Sequence, residues 1–280
     1  MNLHDITPVV LTSNEERNIG RSLEQLRWAR RVVVVDSGST DGTAAIVATF
    51  PNAVFIVRPF DNHAAQWKFA TQEIGIDTPW VLALDADYGL GPELLAEIEQ
   101  LPDDANVAAY QASFTYCVWG RPIRSSAYVP VAVLFRREQC HYEQDGHTQR
   151  LVVDRGTKHS LRNRIRHDDR KPLSRFLSSQ CRYMGLEADK LLASPGKRLS
   201  LADRVRKTIF LGPPAVLFYC LVLKLGILDG WAGWYYAFQR LAAETILSLK
   251  LIERRLGINS NSTSSSDTSG SKVSVKDGEP

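Results

Sequence analysis

Along the first hundred residues, short apolar runs alternate with segments in which apolar positions recur every three or four residues. The runs occupy residues 7–12, 32–36, 54–58 and 80–85 and are mostly β-branched or aromatic. Runs without polar alternation suit parallel strands covered by helices on both faces. Between the first two, Ser13-Asn14-Glu15-Glu16 reads as a capping box opening a helix through about Trp28, with Ile19, Leu23, Leu26 and Ala29 on one stripe. The β-α-β-α order predicts an α/β fold with a Rossmann-like, mostly parallel sheet.

After Leu101 the regularity fades. Residues 107–118 and 128–136 read as strands of a second, mixed or antiparallel portion, followed by a basic stretch over 150–175. Helical patterns then resume. An apolar block at 209–228 is interrupted by Gly212-Pro213-Pro214 and Lys224, and residues 231–256 carry a stripe through Trp234, Phe238, Leu241, Thr245, Leu249, Ile252 and Leu256. The pattern divides the chain into a main domain over 1–175, in halves of about 1–100 and 101–175, and a helical extension over 176–257. A Ser-, Thr- and Gly-rich tail over 258–280 is expected to be disordered.

Composition narrows the function classes. A chain of 280 residues with 44% hydrophobic and 23% charged residues can bury a substantial core. A formal net charge of only +3 argues against nucleic acid as a partner. Cys117, Cys140, Cys181 and Cys220 form no C-x-x-C pair, which points to buried thiols in a reducing compartment. The start lacks a basic region followed by an apolar one, so a secretory signal is not expected and a cytoplasmic enzyme is.

The chemistry concentrates at strand ends. Leu82-Ala83-Leu84-Asp85-Ala86-Asp87 places two carboxylates at a carboxyl edge, where open α/β sheets bind ligands. Hard oxygens suit Mg²⁺ or Mn²⁺, and a divalent ion can bridge a diphosphate. Alone, a D-x-D is a common strand-end turn. Here a second strand also ends in Asp36-Ser37-Gly38-Ser39-Thr40-Asp41-Gly42-Thr43, and the first ends in Thr12-Ser13-Asn14-Glu15. Each is readable as a cap; three on one edge make a pocket. With no G-x-G-x-x-G after the first strand, a dinucleotide oxidoreductase is disfavoured.

The order V-V-L-T-S-N-E-E, V-V-D-S-G-S-T-D-G-T, L-D-A-D resembles family 2 of the inverting glycosyltransferases, which have the GT-A fold, and within it the lipopolysaccharide core glucosyltransferase branch. The resemblance is strong over residues 5–100 and weaker to about 250. It implies that Thr12, Glu15, Asp36, Lys68 and Asp85 hold a nucleotide-sugar donor and that Asp87 ligates Mn²⁺ or Mg²⁺. Tyr88 departs from the glutamate this branch commonly has after D-A-D. His167, in His167-Asp168-Asp169-Arg170-Lys171, resembles the late histidine that reaches the metal or diphosphate, and nearby Arg162, Arg164, Arg166, Arg170 and Lys171 are candidate phosphate contacts or a solvated face. For the base that takes the acceptor proton, Asp145 in Glu143-Gln144-Asp145-Gly146-His147 is the first choice, with Glu143 and His147 as alternatives and a plain hairpin turn as the competing reading.

The expected acceptor is a cell-envelope glycan or glycolipid. Competing functions are transfer to polyprenyl phosphate and non-catalytic nucleotide-sugar binding. Residues 209–238 are too broken to span a bilayer, yet their rings, with Arg204, Arg206 and Lys207 upstream, suit peripheral contact with the cytoplasmic face of the inner membrane. A packed helical hairpin is the alternative.

Overall fold

A computed structural model describes residues 1–145, 148–193 and 199–258. In it the four apolar runs become β1 (Ile6–Thr12), β2 (Val32–Asp36), β3 (Ala53–Val57) and β4 (Trp80–Asp85). Alternate residues feed the two sheet faces. Val10, Val32, Val34, Leu82 and Leu84 pack with Ile19 and Leu23 of helix α1 (Ile19–Glu24) and with Leu94 and Ile98 of α4 (Pro92–Gln100). Val9, Val33, Val35, Val81 and Ala83 face Trp67 of α3 (His63–Lys68) on the other side. Each such side chain, fully buried, contributes roughly 1.5–3 kcal/mol. Helix α2 (Thr43–Val47) follows β2, and the short strand β5 (Tyr88–Gly89) follows β4.

The second half is mixed, as expected, but its strands are divided between sheets. The run at 107–118 splits into β6 (Val107–Ala112) and β7 (Phe114–Val118), which enter different sheets. Strand β9 (Val131–Arg136), which excludes Tyr128, inserts antiparallel between β4 and β6. With β12 (Thr157–Ser160) on the far edge, the main sheet has seven strands in the order β12-β6-β9-β4-β1-β2-β3. A smaller sheet joins β5, β13 (Ile165–His167), β7 and β8 (Arg121–Pro122), while β10 (Cys140–Asp145) and β11 (Thr148–Val153) pair as a hairpin. β1 pairs in parallel with β2 on one side and β4 on the other, so the order reverses at β1 and a crevice opens beyond its carboxyl end.

Helices α5 (Leu173–Ala193), α6 (Leu201–Lys207), α7 (Gly212–Phe218) and α8 (Trp231–Arg255) complete the described chain. The expected stripe on α8 is largely the wrong face: Trp234, Phe238, Leu249 and Leu256 are exposed, whereas Ala232, Gly233, Tyr236, Ala237, Ala243, Leu247 and Leu251 are buried. Small residues decide this, because they let the helix approach closely. A Cβ on Gly233 would lie 2.0 Å from the carbonyl oxygen of Gly226. Arg206 is also not a surface cation, since it pairs with Glu187 and Glu244 between α5 and α8. Three cysteines are buried as expected, but Cys181 is exposed. The tail over 259–280 lies outside the described residues.

Candidate active site at the sheet switch point

Register brings the strand-end groups together: Thr12 is opposite Asp36, and Leu11 is opposite Asp85. The loops beyond them are sewn to each other. Asn14 adopts φ +52°, a left-handed conformation that asparagine tolerates and a helix does not. Its side-chain oxygen accepts from the Thr40 N–H at 2.7 Å, and its own N–H donates to Ser39 Oγ at 2.6 Å. The Glu15 N–H donates to Thr43 Oγ1 at 2.7 Å, and Glu16 Oε2 accepts from the Gly42 N–H at 3.0 Å. These bonds replace the predicted capping box, so α1 begins only at Ile19, after Asn18. Short polar side chains that bond neighbouring backbone compete with helix formation in this way.

Asp36 is buried, and its carboxylate accepts the N–H groups of Gly38 at 2.9 Å and Ser39 at 2.7 Å, together with the Ser39 hydroxyl. It therefore shapes the loop after β2 from within. Thr12 Oγ1, by contrast, is buried without a hydrogen-bond partner among the described residues. Glu15 turns inward, accepting from Asn18 Nδ2 at 2.8 Å and pairing with Lys171 Nζ. Burial pushes its carboxyl up to about 7 against the pull of Lys171. Burial alone would lower Lys171, but Glu15, Asp87 and Asp169 outweigh it and hold the ammonium well above its usual range.

The D-A-D turn is pinned by the Ser22 hydroxyl, 2.6 Å from the Ala86 carbonyl oxygen and 2.8 Å from that of Tyr88. Strand β13 pairs with β5 and with β7, placing His167 beside Tyr88 and Tyr116. His167 Nε2 thereby lies 3.1 Å from Asp87 Oδ2. Rings of Tyr88, Tyr116 and Tyr128 surround the imidazole at centroid distances of 5.2, 4.8 and 4.7 Å. Tyr88, the departure from the expected glutamate, is thus part of the wall that holds His167. Burial and the charge of Asp87 push Asp85 up to about 6. Asp87 itself is held at about 2 although burial would raise it, because His167 and Lys171 stabilise its charge. His167 is raised above its ordinary value against its burial by Asp87, Asp85 and Asp169.

Asp87 Oδ1 and His167 Nδ1 are buried without partners among the described residues. A carboxylate in the turn after β4 and an imidazole at the end of β13 fit a divalent ion, and imidazole suits Mn²⁺ better than Mg²⁺. Among the described residues no group of three or more His, Cys, Asp or Glu is arranged to hold a metal ion.

Other expected contacts do not converge here. Lys68 is exposed at the end of α3, while the buried neighbour Gln66 reaches Ser37 Oγ at 3.1 Å and accepts from Arg58 at 2.6 Å. No sequence signal singled out Gln66. Of the basic cluster, Arg162 and Arg164 are exposed, Arg166 reaches the Gly120 carbonyl, and Arg170 pairs with Asp168 at 2.8 Å. Only Lys171 joins the crevice. Asp145 ends β10 and pairs with Lys190 Nζ at 2.7 Å, in the hairpin that the competing reading described. Glu143 is held on the surface by Arg150 at 3.0 Å, which keeps its carboxyl below the usual range. His147 lies outside the described residues. A separate cleft beside the pair is lined by Tyr116, Trp119, Phe176, Tyr235 and Gln239, with Asp169 and Lys171 on the crevice side.

Residues 8–182 match the family model for glycosyl transferase family 2. The chain is 28% identical over 254 residues to the lipopolysaccharide core biosynthesis glycosyltransferase LpsC of Rhizobium meliloti, covering 83% of this chain and 89% of that protein. It is 37% identical over 108 residues to an uncharacterized glycosyltransferase of Rickettsia typhi, covering 38% of this chain and 36% of that one. Among solved structures, it is similar to glucosyl-3-phosphoglycerate synthase from Mycobacterium tuberculosis in complex with Mn²⁺, UDP and phosphoglyceric acid, with TM-score 0.47 and 14% identity over 70% of this chain and 81% of that one. S. aureus TarS 1-349 with UDP-GlcNAc gives TM-score 0.45 and 13% identity over 90% and 92% of the two chains.

Proposed function

The chain belongs to glycosyl transferase family 2, and from that premise we propose that it moves a sugar from a nucleotide-diphosphate donor, with inversion, onto a cell-envelope glycan or glycolipid at the cytoplasmic face of the inner membrane. The observation that carries this reading is the contact between Asp87 and His167, 80 residues apart in sequence and 3.1 Å apart in space, at the switch point of the sheet. The similarity to LpsC supports an envelope glycan as acceptor.

In this reading the nucleoside lies at the end of β1, beside Thr12 and over the loop that Asp36 and Asn14 shape. Asp85 faces the ribose or sugar. Asp87 and His167 would hold Mn²⁺ or Mg²⁺, which when bound supplies counter-charge to the leaving diphosphate. Lys171, fixed by Glu15, adds permanent positive charge to the same crevice.

Asp145 is assigned as the base that takes the acceptor hydroxyl proton. Its ion pair with Lys190 has to open for that role.

The test is calorimetric titration of the protein with UDP and a panel of nucleotide sugars, with and without Mn²⁺, followed by turnover of the best donor. Metal-dependent binding that Asp87→Ala abolishes is expected. Absence of binding to every donor, or full turnover by Asp87→Ala, would overturn the assignment.

A further inference from the structure

We infer that the helical hairpin over 210–238 is a docking surface for an anionic lipid bilayer, lying on the surface rather than crossing it. Its inner side is a defined core: Cys220 and Leu221 pack with Ala232, Tyr236 and Ala237 against Val118 and Ile123. The turn between the helices is tight, because a Cβ on Gly226 would meet the Cys220 carbonyl oxygen at 2.6 Å. With the inner side committed, the remaining apolar residues point outward. Phe210 is 78% exposed, Leu223 and Leu228 are each 63% exposed, and Phe218, Trp231 and Phe238 are each more than half exposed. Scattered exposed leucines need no explanation, but a concentration on one hairpin marks an interaction site.

Charge identifies the occupant. From Arg204 to Arg240 the only acidic residue is Asp229. It is buried, and its carboxylate accepts from the Arg124 and Ser125 N–H groups at 2.8 and 3.2 Å. The hairpin itself therefore exposes no acid, and cations lie on it and beside it: Lys224 stacked on Tyr219, Arg121 stacked on Trp231, and exposed Arg204 and partly exposed Lys207 on α6, where the one acid, Asp203, lies 3.6 Å from Arg206. A two-fold contact with a second copy of this chain would oppose these like charges with no exposed acid on the hairpin to pair them. Anionic headgroups complement these cations while acyl chains receive the rings and leucines. Among the described residues no helix is long and apolar enough to cross a membrane, which leaves the hairpin in the interface plane. The inference deepens the glycolipid reading above, yet it rests on that reading only for what is brought to the site, since vesicle binding needs neither donor nor acceptor.

The experiment is co-sedimentation of the full chain with phosphatidylcholine vesicles with and without phosphatidylglycerol, read together with tryptophan fluorescence and a sedimentation-velocity dilution series. Binding should rise with the phosphatidylglycerol fraction, and the emission of Trp231 and Trp234 should shift to the blue. Leu223→Asp with Leu228→Asp, both at exposed positions, should abolish binding while leaving the melting temperature and UDP affinity unchanged. Arg204→Gln with Lys207→Gln should weaken binding to the anionic vesicles on the order of 30-fold, each basic residue near such a surface being worth roughly fivefold. A chain that ignores both vesicle types overturns the inference, whether it stays monomeric or self-associates through Leu223 and Leu228. UDP binding retained in that case would leave the transferase assignment standing.

Discussion

Arg206→Met tests whether α5, α6 and α8 pack on one another around a buried ion cluster. The Arg206 guanidinium lies 2.9 Å from Glu187 and 3.1 Å from Glu244, and both glutamate side chains are 6% exposed. Burial opposes its charge, but Glu244 and Glu187 outweigh burial and raise its pKa. Removing one member of a buried ion cluster costs about 3–5 kcal/mol, because the remaining charges stay desolvated. Arg240 lies 4.0 Å from Glu244 and retains part of the compensation, so the lower end, about 3 kcal/mol, is expected. In a domain of this size each kcal/mol moves the melting midpoint by about 2–4 °C, giving a fall of roughly 6–12 °C. Circular dichroism melts and urea titration measure both quantities. Replacing the cluster together, as Glu187→Leu, Arg206→Met and Glu244→Leu, should recover most of the loss, since a buried ion cluster adds little net stability over apolar packing. A single variant within 0.5 kcal/mol of the parent would refute the packing argument, and lost vesicle affinity in the same variant would place Arg206 among the lipid-facing cations.

Further expectations concern the site and the tail. Asp145→Asn should leave UDP binding intact and lower turnover ~10²–10⁴-fold; near-normal turnover in Asp145→Asn removes it from the mechanism. Gln66→Ala should weaken UDP binding more than Lys68→Ala, because Gln66 is buried and bonds Ser37 in the loop after β2 whereas Lys68 is exposed; equal effects in calorimetry contradict this. Asp168 is held below the usual aspartate range against its burial by the Gly120 N–H, Arg170 and Arg21. A lowered pKa contributes stability that is present above the ordinary value of about 3.8 and lost as pH falls through the folded value. Asp168→Asn should therefore lower stability at pH 7 and flatten its acid dependence, and an unchanged acid limb would argue against the linkage. Removing 259–280 should leave the melting temperature unchanged, since that segment has little apolar surface to bury.

The four parallel strands and the D-A-D turn were legible in the sequence because strands covered on both faces must be apolar at nearly every position, and the polar residues ending them stand out. Local patterning also exposed the strand-end loops, but not how they are satisfied. Ser13 to Glu16 has the spacing of a capping box, and tertiary proximity to 39–43 supplied better partners for the same groups. Periodicity on α8 identified a face of large apolar residues, yet burial followed Ala232, Gly233 and Ala237, because close helix approach depends on what is small rather than on what is most hydrophobic. The sequence named His167, Lys171 and Arg206 as members of charged clusters. Which of them meets Asp87, which locks Glu15 and which is sealed between two glutamates was decided only by the folded chain. Those are contacts between segments tens of residues apart, and electrostatic partners at that separation leave no periodic trace.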